Sequence, residues 1–110
     1  MSVAEAPAAG RGPVPYNERM QLADLPGGDL VEQGLRDLAA GRESEAALLV
    51  LVGSPRLRSL GIDVPRSDIP RPEHRLYERL ARTDPDGAHS RYNALIRRLV
   101  SFERAAECAR

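Results

Sequence analysis

The stretch AALLVLVGSPRL, Ala46 to Leu57, decides the fold. Seven consecutive apolar residues, Ala46 to Val52, run into Gly53-Ser54-Pro55 and then Arg56 and Arg58. A buried strand opening a phosphate-binding loop fits that pattern, and so do two short buried helices joined by a tight turn. Periodicity cannot choose, because every position of the run is apolar. Context can. A strand needs a partner, and no other segment alternates apolar and polar residues over a strand length. A lone buried strand would leave its backbone N–H and C=O groups unpaired. The run also opens on Ala46-Ala47-Leu48-Leu49, which are strong helix formers. The reading is a buried helix capped by Ser44 and stopped by Gly53. Ser54 as N-cap and Pro55 in the first turn then start a short helix that ends at Gly61.

Working outward, Asp29 is the expected N-cap of a helix over 30–40. Val31, Leu35 and Leu38 form its stripe, Glu32 and Arg36 make an i,i+4 pair, and Gly41 follows its end. Tyr16 to Leu25 is expected as a short helix, stopped by Pro26-Gly27-Gly28. Residues 61–72, with three prolines, form an extended connection pinned by Ile62, Val64 and Ile69. Pro72 starts a further helix whose face is Leu76, Tyr77, Leu80 and Ala81. Asp84 to Gly87 is a turn, with Asp86 as the expected cap of the last helix, 88–107. There Tyr92, Leu95, Leu99, Phe102 and Ala106 step by three and four, and Ile96 and Val100 widen the stripe. The expected fold class is all-α: a compact bundle of four to five short helices packed on a long C-terminal helix. Residues 1–14, rich in Ala, Pro and Gly, are expected to be a disordered tail before a single helical domain over 15–110.

With 110 residues the chain has room for one domain, whose core must be aliphatic because Tyr16, Tyr77, Tyr92 and Phe102 are its aromatics. All sixteen basic residues are arginine, a composition expected of a GC-rich bacterial genome. Net charge is zero, but residues 1–55 carry four Arg against eight Asp/Glu and residues 56–110 twelve against eight. That asymmetry suits either a surface for nucleic acid or an acidic partner, or mutual attraction of the two halves within one fold. Cys108 is the single cysteine, which excludes an internal disulfide or a multi-cysteine metal site and fits a reducing compartment. The start of the chain lacks the pattern of a signal peptide, and the apolar run is far below the roughly 20 residues of a membrane span. A cytoplasmic location without membrane contact is therefore expected.

Nucleotide chemistry finds no support: a G-x-x-x-x-G-K-[S/T] loop needs a lysine, and G-x-G-x-x-G is absent. A calcium loop starting near Asp84 fails because Leu95 stands where the bidentate glutamate belongs. His74 and His89 lie on different elements among charged neighbours and give no ligand set, so neither a metal nor another cofactor is expected. The spacing of Arg82 and His89 resembles the loose arginine–histidine pattern of HEPN-type ribonucleases. That resemblance would imply a pair facing one phosphodiester from a helix, although here Pro85 and Gly87 interrupt the segment.

The leading expectation is a small, non-catalytic helical interaction or regulatory module with a protein partner, itself or another. Its interaction or dimer face would be Tyr92, Leu95, Ile96, Leu99 and Phe102. The alternative is nucleic-acid binding through a helix-turn-helix-like unit over 46–60 and the arginine-rich C-terminal half, using Arg56, Arg58, Arg75, Arg79, Arg97 and Arg98.

Overall fold

In a computed structural model, residues 22–109 are described. They form a 3-10 turn, Leu22–Asp24, and five helices: α1 Gly28–Ala39, α2 Glu45–Val52, α3 Ser54–Ser59, α4 Pro72–Thr83 and α5 Ala88–Ala109. No strand occurs among the described residues, so the opening stretch is helical. The expected tail, 1–14, and most of the expected helix over 16–25 lie outside the described residues.

α2 is the hub. It contacts α1, α3, α4 and α5, and Ala46 to Val50 are all buried. A helix that is apolar all round has no wet face to present, so other helices cover most of its surface, with Leu51 and Val52 partly exposed. α5 is long but packs along one side only, with Leu99, Phe102 and Ala106 in the core and Val100 36% exposed. Val100 therefore lies outside the core stripe, contrary to the sequence expectation. Leu76 and Leu80 of α4, Leu57 of α3 and the segment residues Ile62 and Val64 complete the cluster.

The helix boundaries follow local chemistry. Ser44 caps α2, its Oγ accepting from the Ala47 N–H at 3.0 Å. Gly41, at φ 76°, turns the chain after α1 in a conformation that costs glycine little. Pro72 opens α4. Three expected caps differ. α1 begins at Gly28 with Gly27 as N-cap at φ 72°, so Asp29 lies in the first turn, where its charge still suits the helix dipole. A side chain at Gly28 would run into the Leu22 carbonyl, which explains why the chain turns on glycine there. Gly53 both ends α2 and caps α3, making Ser54 the first residue of α3. Asp84, not Asp86, closes the turn before α5, its Oδ1 accepting from the Gly87 N–H at 3.0 Å.

The joint between α1 and α2 is fixed by Asp37, which is 6% exposed. Its carboxylate accepts from Ser44 Oγ at 2.6 Å, Arg42 Nη2 at 2.9 Å and Gln33 Nε2 at 2.9 Å. These donors hold its pKa below the ordinary aspartate value, the Ser44 and Arg42 hydrogen bonds contributing most. A buried carboxylate is tolerated when it is hydrogen-bonded to this extent.

Candidate functional site: the surface of the C-terminal hairpin

The antiparallel pair α4 and α5 carries most of the residues singled out by their chemistry. On α4, Arg75, Arg79 and Arg82 recur at intervals of four and three and therefore share one face. Across from them lie Glu43 and Glu45, at the end of the α1–α2 connection and the start of α2. Arg75 grips Glu43 in a two-pronged pair, Nε to Oε2 at 2.9 Å and Nη2 to Oε1 at 2.8 Å. Glu43 is held below the ordinary glutamate range, first by that hydrogen bonding and then by the fields of Arg75, Arg79 and Arg82. Arg91 of α5 reaches Glu45 at 3.8 Å.

The six arginines expected to bind nucleic acid separate into two groups. Arg56 bonds to Glu107 of α5, Arg58 donates to the Val64 carbonyl at 3.1 Å, Arg75 holds Glu43, and Arg98 reaches Asp29 at 3.0 Å. Arg79 and Arg97 have no hydrogen-bond or ion-pair partner among the described residues. The Arg75–Glu43, Arg91–Glu45 and Arg98–Asp29 pairs join the basic half to the acidic half, so the charge asymmetry is in part absorbed internally. In the 46–60 segment the turn between the two helices is the single residue Gly53, which caps both. α3 is six residues long with Leu57 buried, leaving few side chains for base readout.

Of the face expected to make protein contacts, Leu99 and Phe102 are core residues, whereas Tyr92, Leu95 and Ile96 are partly buried. Tyr77 of α4, 38% exposed, lies against Tyr92 with ring centroids 5.8 Å apart. Burial raises the Tyr92 pKa, with a smaller contribution from Glu73. Tyr77, Tyr92, Ile96 and Val100 thus form a half-open apolar strip over the hairpin. Sequence spacing placed Tyr92 and Ile96 in the core stripe; helix–helix orientation turned their outer edges to the surface.

The remaining candidates do not converge. His74 Nε2 lies 3.2 Å from Glu78 Oε2, and His89 contacts Asn93 at 3.2 Å. Arg82 lines two hollows, neither of which His89 borders. No group of three or more His, Cys, Asp or Glu among the described residues could hold a metal ion. Cys108 is exposed. No described helix is long and apolar enough to cross a membrane. Asp37 and Glu43 were not singled out from sequence; an acid on the apolar side of α1, followed by Arg42 and Ser44, was the available signal. No protein-family model, curated protein or solved structure matches the chain.

Proposed function

We propose that this chain is a small, non-catalytic helical interaction module whose first partner is a second copy of itself, docked through the outer face of α5. The observation that carries this reading is the apolar strip of Tyr77, Tyr92, Ile96 and Val100. Its outer members, Tyr77 and Val100, are the exposed large hydrophobic side chains among the described residues. An exposed apolar patch with a polar rim is the usual mark of an interaction site.

Self-pairing is favoured by the continuity of the strip: Tyr92, Ile96 and Val100 recur every four residues along α5, so a twofold contact lays the same apolar row of each copy against the other. Glu103 and Glu107 take no part in this contact, since Glu103 lies beside Gly53 and Glu107 is bonded to Arg56 of its own copy.

One helix pair and a few rim residues fall at the small end of interfaces, below about 1,200 Å², which corresponds to weak, reversible association. The test is sedimentation equilibrium from about 10 μM to 1 mM, a range set by micromolar-to-millimolar affinity. The mass should rise above the 12.0 kDa of one chain, and Val100→Glu should abolish the rise. A mass that stays at that of one chain over the whole range would refute the reading.

A further inference from the structure

A second surface, independent of the α5 strip, concerns the three arginines of α4. We propose that the hollow lined by Arg79, Arg82, Thr83 and Glu45 binds a compact phosphate-bearing anion, held by the Arg79 and Arg82 guanidinium groups. Two features of the geometry lead there. First, Arg75 is locked to Glu43 by two hydrogen bonds, whereas Arg79 and Arg82 have no hydrogen-bond or ion-pair partner among the described residues, although both act on Glu43 through space. Second, the hollow has a volume of about 310 Å³, at the lower edge of ligand-sized cavities. Arg82 is also the wall it shares with a neighbouring hollow bordered by Arg75, Glu78 and Ala81.

Charge decides what fits. Arg75, Arg79, Arg82 and Arg91 against Glu43, Glu45 and Glu78 leave a local excess of one positive charge. The C-terminal end of α4 opposes this with only about half a charge. The excess favours an anionic ligand over a neutral or cationic one. A planar guanidinium pairs with phosphate through parallel N–H···O bonds, and two such groups one helical turn apart can grip one phosphate from two sides. Glu43 already demonstrates this use of Arg75 with an internal carboxylate. An extended polyanion fits less well. Its flanking phosphates would meet Glu45 and Glu78 at the rim, and four of the six arginines expected along such a track are engaged within the fold.

Nitrogen-15 NMR titration tests this, because arginine side-chain Nε–Hε signals report each guanidinium separately. Inorganic phosphate and free phosphoserine are added to the full chain at pH 7.5 and constant ionic strength, with chloride as the matched control. Saturable shifts of the Arg79 and Arg82 signals by both phosphates, and not by chloride, are expected. A response to phosphoserine alone would assign the site to phosphorylated side chains, and a response to both equally to phosphate in general. Arg79→Gln and Arg82→Gln should each weaken binding about tenfold, the loss of one charge-assisted contact. Arg104→Gln, at an exposed arginine on α5, should leave it unchanged. Linear, unsaturated shifts would overturn the proposal, as would equal loss in Arg104→Gln. Tight binding of a duplex oligonucleotide that spreads over all exposed arginines would overturn it in favour of a nucleic-acid surface.

Discussion

Replacing Gly34 with alanine sets two effects of opposite sign against each other. Gly34 lies inside α1, and alanine there gains about 1 kcal/mol of helix propensity over glycine. Position 34 also faces α2 at its closest approach. A Cβ would stand 2.5 Å from Val50 Cγ2 and 2.8 Å from the Ala46 carbonyl carbon, and closer still to that carbonyl oxygen. Ordinary contacts between such atoms are about 3.5–4.0 Å, so α1 must retreat by roughly 1 Å. The obstacle is the backbone of the hub helix, which cannot rotate away as a side chain can. Overpacking of this kind costs about 1–3 kcal/mol, occasionally more, and a backbone obstacle belongs at the upper end. The clash outweighs the propensity gain, with a net loss of about 1–2 kcal/mol. For a domain of this size the melting temperature should fall by roughly 5–15 °C. Urea unfolding followed by far-UV circular dichroism checks it, the midpoint dropping with the slope unchanged. Gly41→Ala is the control: nothing lies within 4 Å of its Cβ position and its φ is 76°, so it loses only the cost of a left-handed alanine, about 1–2 kcal/mol. Adding Val50→Ala to Gly34→Ala should recover only the side-chain part of the clash, giving a non-additive cycle. A Gly34→Ala protein as stable as the parent would show that α1 and α2 are not held at this separation.

Two further outcomes follow from the titrating groups. The Asp37 pKa is lowered by its donors. Its contribution is therefore complete above the unfolded aspartate value of about 4 and is lost as pH falls through the folded value. Asp37→Asn should lower the urea midpoint at pH 7 and flatten its decline on acidification; an unchanged acid profile would argue against the network. Glu103 is shifted the other way, its pKa raised by burial against the opposing field of Arg56. The folded state then disfavours its charge, so stability is lost as pH rises from the unfolded to the folded value. In dilute solution Glu103→Gln should melt higher than the parent at pH 7, with the gain vanishing below about pH 4. A lower melting temperature in dilute solution would contradict the burial account.

Much of the fold could be read from single segments. The missing partner strand made Ala46 to Val52 a helix, Ser44 and Gly53 bounded it, and Pro72 and Gly41 marked an element start and end. These are local preferences, acting over one or two turns of chain. Caps that depend on what packs above them were misplaced by one or two residues. Asp29 yielded to Gly27 and Gly28 because the Leu22 carbonyl occupies the space a side chain would need. The surface site was less legible. A row of arginines on α4 is visible at helical spacing, but a row does not say which cations are already neutralised.

That division has a physical basis. The sequence by itself determined that this protein is helical, where its helices break, and that one of them must be buried on most sides. Helix formation and chain reversal depend on neighbours three or four residues away. Only the tertiary structure decided that α2 is the hub, that Glu43 ties up Arg75 while Arg79 and Arg82 have no partner among the described residues, and that Val100 faces out. Each of these depends on how two helices far apart in sequence rotate against one another. An apolar stripe wider than its groove does not specify which edge will be left in water.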